Sequence, residues 1–171
     1  MSCIIDNGYT LGCASIGGVE RVWIGTYDAD ATYTMDSGNT ITAATSASTV
    51  YLFEQDMEYA GLNQNGVFTR ENGTVHYESI LSVKFTNLDA DLRNTVLALG
   101  KAPIVAVVKS NEGDYYIAGV ESAGRATTGA ASLGVAMSDM NGANLEFTFK
   151  SKNGIYLMDG SLIGTDIPLG A

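Results

Sequence analysis

The sequence has few of the residues from which metal sites and disulfide scaffolds are built. Its 171 residues include one histidine, His76, and two cysteines, Cys3 and Cys13. Two cysteines are too few for a disulfide framework, and there is no second histidine to complete a typical zinc site. We therefore predict neither a disulfide scaffold nor a bound metal.

Positive charge is also scarce. Nine lysines and arginines stand against nineteen aspartates and glutamates, which gives a formal net charge of −10. Affinity for nucleic acid comes mainly from basic side chains that displace counterions, so tight binding to DNA or to an anionic membrane is not expected. An acidic wall could still let DNA slide past without adhering, although solubility is the simpler explanation of this charge.

Long apolar runs are missing. No stretch approaches the roughly 20 apolar residues that cross a bilayer. The first basic residue is Arg21, so the cationic start of a secretory signal is not present in this sequence. We expect no membrane anchor and synthesis inside the cell.

Motifs that bind phosphate or activate a nucleophile are missing as well. No Gly-x-Gly-x-x-Gly occurs, and Gly100-Lys101 follows a predicted helix instead of opening one, unlike a Walker A loop. Residues 130–134 (Ala-Ala-Ser-Leu-Gly) lack the first glycine of a nucleophile elbow. We predict that the chain is not an enzyme, with no catalytic residue and no cofactor.

Two acidic stretches could in principle offer oxygen ligands to a hard cation. They are Asp28-Ala-Asp30 and residues 139–142, Asp-Met-Asn-Gly. Neither has the number of ligands found in a calcium loop, and Asx-type turns explain both more simply.

What the sequence does contain favours strands. Twenty glycines, nine tyrosines, five phenylalanines and an apolar fraction of 46% are typical of a β-rich globular chain with many turns. The length suits one domain, 1–171. The predicted strands are 19–26, 49–62, 67–71, 74–86, 103–108, 115–121, 143–151 and 155–158.

Local signals predict one hairpin and one helix. Asn72-Gly73 between two alternating runs predicts a long hairpin with a type I′ turn. Asp89 can cap a helix of about 89–99, which Gly100 and Pro103 would end.

Three segments lack a clear period. Residues 1–18 are interrupted by glycines and predict an irregular N-terminal arm, while 27–48 and 122–142 are rich in small residues and predict long loops. The tail after Gly160 is expected to be loosely held.

An acidic pattern accompanies the predicted strand 49–62. Glu54, Asp56 and Glu58 alternate with apolar residues and would share one strand face. Two interpretations are open. The face is either simply solvated, or it is an acidic lining that faces the lumen of a channel.

Residues 129–150 combine small residues and glycines, then Asp-x-Asn-Gly, then an alternating strand. This pattern resembles the phage major tail tube protein family. The order of long hairpin, single helix, buried apolar strand and Asn-Glu-Gly-Asp turn is also similar to that family, as is the opening Gly12-Cys13 … Gly17-Gly18-Val19 … Val22-Trp23-Ile24. Together these features cover about two-thirds of the chain.

The resemblance implies a mainly β fold, namely a β-sandwich or partial barrel of antiparallel strands with one flanking helix. It also implies a structural virion protein. Six copies would join their sheets into a ring, the long loops would help ring assembly, and stacked rings would form a tail tube that conducts DNA without specific binding.

The implied partners are other copies of the chain, together with sheath, terminator and baseplate proteins. The implied location is the virion tail, and the host cytoplasm during assembly. Two alternatives stay open: a tail terminator, baseplate or other ring-forming virion protein of similar fold, and a β-sandwich module that binds carbohydrate or a host surface.

Overall fold

The structure is a computed structural model that describes residues 8–9, 14–56, 58–69, 71–136 and 139–170. Strands dominate this part of the chain, as predicted. They are β1 (Val19–Thr26), β2 (Thr32–Met35), β3 (Thr40–Thr45), β4 (Val50–Phe53), β5 (Ala60–Thr69), β6 (Thr74–Thr86), β7 (Ile104–Ser110), β8 (Tyr115–Ala118), β9 (Arg125–Ser132), β10 (Gly142–Ser151) and β11 (Tyr156–Met158). One α-helix, α1 (Ala90–Lys101), and a 3₁₀ turn (Gly160–Leu162) complete the elements.

The strands form two sheets. The larger has seven strands in the order β2-β3-β11-β8-β7-β1-β4, and the smaller has four in the order β5-β6-β10-β9. All neighbours are antiparallel except β11 and β3. The prediction of a mainly β, sandwich-like fold with a single helix is confirmed.

The main core lies between the two sheets and under α1. The alternation predicted for β10 is confirmed, because Leu145, Phe147 and Phe149 all point into this core. From the larger sheet, Ile104 and Val108 meet them. The complete set of buried residues is Val22, Ile24, Leu81, Val83, Phe85, Leu99, Ile104, Ala106, Val108, Ala118, Leu145, Phe147 and Phe149.

A second core covers the opposite face of the larger sheet. Val105 and Val107 of β7 point into it, so β7 is buried on both faces. Burial on both faces explains why the residues of this strand form a continuous apolar run. Leu162 and Ile167 complete this core. The prediction of a loose tail after Gly160 is therefore wrong, because these apolar side chains are buried against the sheet.

Helix α1 begins where its capping signal predicted. The Asp89 carboxylate accepts a hydrogen bond of 2.7 Å from the Leu92 N–H. The helix continues through Gly100 and ends at Lys101, two residues beyond the predicted end. Ala102 has an extended backbone and Pro103 follows it, so the proline, rather than the glycine, sets the end of the helix.

Both predicted long loops contain strands. Segment 27–48 holds β2 and β3, and segment 122–142 holds β9. In β3 only Ile41 and Ala44 are buried, and β9 carries small, mostly exposed side chains, so neither strand shows a strong hydrophobic period. Of the predicted N-terminal arm, residues 14–17 form no helix or strand, and most of the rest, including Cys3 and Cys13, lies outside the described residues.

The long hairpin is confirmed, but its turn is not type I′. Thr69 pairs with Thr74, which leaves a connection of four residues, 70–73. A type I′ turn requires positive φ at both central residues. Gly73 has φ of 62°, whereas Asn72 is not among the described residues with positive φ.

The carboxylate of Glu121 links the connection between β8 and β9 to the connection between β10 and β11. Glu121, after β8, accepts hydrogen bonds from the Lys152 N–H (2.6 Å), the Asn153 side chain (2.6 Å) and the Tyr156 hydroxyl (2.7 Å). Partial desolvation would raise the pKa of Glu121, but these hydrogen bonds outweigh it and hold the pKa below its usual value. The ionised carboxylate therefore stabilises the fold.

We predict that Glu121→Gln lowers the free energy of unfolding at pH 7 and changes it little at pH 3. A carboxyl whose pKa is lowered by folding contributes stability above its unfolded pKa, and this contribution is lost as the pH falls through the folded pKa. Urea unfolding of both proteins at the two pH values measures the difference. An equal difference at both pH values would contradict the prediction. Glu112→Gln, on the exposed turn after β7, is the control.

Candidate functional site

The predicted acidic trio does not lie on a strand. Strand β4 ends at Phe53 and β5 begins at Ala60, so Glu54, Asp56 and Glu58 belong to the connection between the two sheets. All three are exposed, and Glu58 has φ of 64°, which breaks the extended conformation. The strand placement is wrong because the alternation of acidic residues spans a turn. Their position facing a channel stays a prediction.

The two other acidic stretches serve as turn caps. Asp28 accepts hydrogen bonds from the Asp30 and Ala47 N–H groups, both at 3.0 Å. Asp139 accepts from the Val135 and Ala136 N–H groups, which lower its pKa. Within the described residues, no three His, Cys, Asp or Glu side chains come together as metal ligands do.

A surface depression of about 620 Å³ has Asp114, Tyr115 and Asp159 among its lining residues. Its carboxylates have no histidine, cysteine or lysine among the lining residues. The Asp159 carboxylate instead caps the 3₁₀ turn by accepting from the Ser161 N–H at 2.9 Å.

The open edges of the four-stranded sheet are the most distinctive feature of the surface. Strands β5 and β9 lie at its two ends, and each pairs with only one neighbouring strand. Most side chains of residues 63–68 and 127–132 are exposed. Each edge therefore presents a row of backbone N–H and C=O groups to solvent.

These edges lack the usual protection. Natural proteins protect edges with lysines, prolines, bulges or a covering segment, because an open edge can pair with another chain. Residues 60–69 and 126–132 contain no charged residue and no proline. The protective devices within these two strands are Arg125, at the start of β9, and a bulge at Thr127, where the register between β9 and β10 shifts.

The edges of the seven-stranded sheet differ in this respect. At β4 the C-terminal segment covers the start of the strand, because the Val50 N–H donates to Pro168 and the Val50 carbonyl accepts from Gly170. At the other end β2 has only four residues. Long and uncovered edges are thus specific to the four-stranded sheet.

The directions of the two edge strands allow one edge of a copy to pair with the other edge of the next copy. In an antiparallel sheet of four strands, β5 and β9 run in opposite directions. When a second copy is placed beside the first by rotation about an axis along the strands, its β5 lies antiparallel to the first copy's β9. The sheet then continues from copy to copy without a change in pairing type.

The solvent face of this sheet is polar and mixed in charge. Its ionised side chains at the paired positions facing away from the core are Glu78, Lys84, Arg125, Glu146 and Lys150. Lys150 contacts Glu78 at 3.3 Å. Three basic and two acidic groups leave this face close to neutral although the chain as a whole is acidic.

Sequence reasoning missed both edge strands in part. It placed β9 in a loop and divided β5 between a predicted strand that ends at Leu62 and one that begins at Val67. Both missed stretches consist largely of Gly, Ala, Asn and Thr. The one signal for β9 was a run of uncharged residues that precedes the clearly predicted strand β10. Such a run does not by itself distinguish a strand from a loop.

Neither a protein-family model nor a curated protein matches the chain. None of the helices in the described part of the chain has the length and apolarity that a membrane crossing requires.

Proposed function

We propose that this chain is the subunit of a phage-type tail tube, in which copies complete each other's four-stranded sheets into rings that stack around a channel for DNA. One observation carries the proposal. An all-antiparallel sheet with an even number of strands ends in two long, open edges, with Arg125 as the one charged residue of the two edge strands, and these edges fit each other head to tail. Closure of a ring satisfies both edges of every copy.

The size of such a ring follows from the sheet. Six copies, the number implied by the resemblance to tail tube proteins, would supply 24 strands from sheets of four. At about 4.8 Å between strands and a tilt of about 35°, they enclose a barrel roughly 45 Å across. Barrels of 16–18 strands already hold a water-filled channel, so this barrel has room for a DNA duplex.

The charge distribution also suits a conduit. In this assembly the solvent face of the four-stranded sheet becomes the channel wall, and its basic and acidic groups nearly balance. Such a wall lacks the clustered lysines and arginines that bind the phosphate backbone. The acidic connection with Glu54, Asp56 and Glu58 joins the edge strands β4 and β5, at the border between copies.

Purified protein tests the proposal directly. We expect rings or hollow tubes in negative-stain electron microscopy at high protein concentration, with tail components added as nuclei where necessary. A strictly monomeric protein under these conditions would contradict the proposal. A dimer formed by two like edges would contradict it as well, because such pairing leaves the other edge of each copy open.

Copy number in the particle separates the tube from its alternatives. A tube requires many stacked rings, whereas a terminator or baseplate component requires about one ring. Quantitative gel densitometry of purified virions against the capsid protein gives this number.

A further inference from the structure

Given the ring of the proposed function, on which this inference rests, we propose that Phe68 of each copy inserts into a groove between α1 and β9 of the next copy. In the same assembly Asn65 of one copy lies opposite Thr128 of the next. The partner is thus a second copy of this chain, and the contact is distinct from the backbone pairing of the edges.

The inserting group is an apolar tip on the β5–β6 hairpin. Strand β6 extends past the part of the sheet that the core covers: Leu81 and Val83 are buried, whereas Val75, on the same face, is 53% exposed. Phe68 pairs with Val75 and is 65% exposed. The ring of Phe68 meets that of Tyr77 edge to face at 6.1 Å, so the tip is an ordered aromatic pair.

The receiving surface is a groove of about 350 Å³ at the opposite edge of the sheet. Val96 and Leu97 of α1 form one wall, and Leu97 is 50% exposed. Ala126 and Gly129 of β9 form the floor, where their small side chains leave space. Lys101 is the one charged residue among those lining it.

The tip and the groove lie on the same face of the sheet. Phe68 belongs to the set of β5 residues that faces the core side, together with Ala60 and Leu62, which pair with buried β6 residues. Gly129 and Ala126 face the core side of β9, because they pair with Leu145 and Phe147. A continuous sheet therefore brings tip and groove together on its outer layer.

Two requirements restrict the register between copies. Core-facing residues of β5 must lie opposite core-facing residues of β9, since a slip by one residue would turn side chains to the wrong face. The eight residues of β9 must also pair within the ten of β5. With the bulge at Thr127 included, full overlap and matched faces leave two registers. The first places Gln64 opposite Gly129 and Asn65 opposite Thr128, and the second, shifted by two residues, places Asn65 opposite Ala130.

The geometry of closed barrels selects the first register, because the second would offset the sheet by six residues per copy and tilt the strands by more than about 45°. Within one copy, the pairing through β10 and β6 places Gly129 level with Ala60. Between copies Gly129 lies opposite Gln64, so the sheet is offset by four residues per copy. An offset of about 13 Å along the strands for every 19 Å across them gives a tilt of about 35°, which is the lower end of the range found in barrels.

In this register Phe68 reaches the groove. With the bulge at Thr127 included, Gly66 lies opposite Ala126 and Val67 opposite Arg125, where the open edge ends because Gly124 pairs with Ile104. Phe68 then lies one residue beyond the pairing between copies. The Phe68 ring then stands beside Ala126, under the exposed Leu97 of α1. The small side chain of Ala126 leaves room for the ring, whereas Gly124 is itself covered by the ring of Phe149.

Disulfide trapping tests the register. In a background with Cys3→Ser and Cys13→Ser, the pair Asn65→Cys and Thr128→Cys is expected to give a ladder of covalent oligomers under oxidation. Within one copy β5 and β9 are three strand spacings apart, about 14 Å, which exceeds the Cα separation of a disulfide. The pair Asn65→Cys and Ala130→Cys, which represents the next permitted register, is the control. Trapping through this control pair instead would overturn the register.

Assembly of point variants tests the insertion. We expect Phe68→Ala and Leu97→Ala each to raise the protein concentration needed for assembly by about tenfold, as loss of a central aromatic contact does. The double variant should be little worse than either single variant, because both remove the same contact. Val67→Ala, on the same strand but the opposite face, should assemble as the wild type does. Circular dichroism melts check that each monomer folds.

The outcomes separate the two proposals. Wild-type protein that fails to form rings would overturn the proposed function and the inference together. Rings that form equally well with Phe68→Ala would overturn the insertion and leave the ring intact. Additive effects of Phe68→Ala and Leu97→Ala would overturn the contact between these two residues.

Discussion

A variant with lysines on both open edges, Asn65→Lys with Thr128→Lys, is expected to remain monomeric at concentrations at which the wild type forms rings. Both positions are exposed and face away from the core, so the substitutions leave the fold of the single copy unchanged. In the proposed ring the two lysines of neighbouring copies would lie opposite each other, where like charges destabilise strand pairing. Lysines on edge strands also prevent pairing in natural proteins.

Sedimentation velocity across a range of concentrations measures this effect. The matched control is Glu146→Lys, which changes the net charge by the same two units but lies on β10, a central strand with both neighbours present. It should assemble as the wild type does. If the double variant forms rings as readily as this control, the two edges do not meet in the assembly.

A charge reversal extends the same test. Asn65→Lys combined with Thr128→Glu places opposite charges across the proposed contact, and we expect it to restore rings. Restoration would show that the loss in the first variant arises from repulsion between copies rather than from damage to β5 or β9. Failure of the reversed pair to assemble, with a folded monomer, would point to a different pairing of edges.

Several elements were predictable because their signals are local or strongly apolar. The cap at Asp89 requires only a carboxylate three residues before a free N–H, and it appears in the structure as predicted. The alternation of Leu145, Phe147 and Phe149 predicted the inward face of β10, because burial on one face imposes a period of two. The continuous apolar run of β7 likewise predicted a strand covered on both faces.

The elements that were missed depend on pairing instead. Strand β9 exists because β10 offers it a ladder of hydrogen bonds, and its own small side chains contribute little burial. The C-terminal segment is held by Leu162 and Ile167, two apolar side chains whose partners lie far away along the chain. Such contacts are not visible in a local window of sequence.

The candidate site was mislocated for a related reason. Alternating carboxylates at Glu54, Asp56 and Glu58 satisfy the pattern of a strand face, but the chain must pass from one sheet to the other between β4 and β5. The edges that form the candidate site are defined by which strands lack a neighbour. That property belongs to the topology, and no residue pattern in β5 or β9 encodes it.

The Asp-x-Asn-Gly motif that contributed to the family resemblance has a packing role in this fold. The Asn141 carbonyl accepts a hydrogen bond of 2.8 Å from the Asn87 N–H, at the point where β10 begins to pair with β6. Gly142 is buried directly against the backbone of Phe85 and Thr86. A side chain at this position would collide with the Phe85 carbonyl oxygen and would come within 3.1 Å of the Thr86 Cα.

Gly142→Ala is therefore expected to destabilise the monomer by at least about 2 kcal/mol, because backbone atoms cannot yield as the end of a flexible side chain can. Urea unfolding of the single copy, at concentrations below assembly, measures the change. Gly61→Ala is the matched control in the same sheet, since a Cβ there meets nothing within 4 Å, and its effect should stay within about 0.5 kcal/mol. Equal effects of the two substitutions would mean that β10 does not approach β6 closely at Gly142. The pairing of the two central strands, which fixes the distance between the open edges and hence the offset per copy in the ring, would then need to be revised.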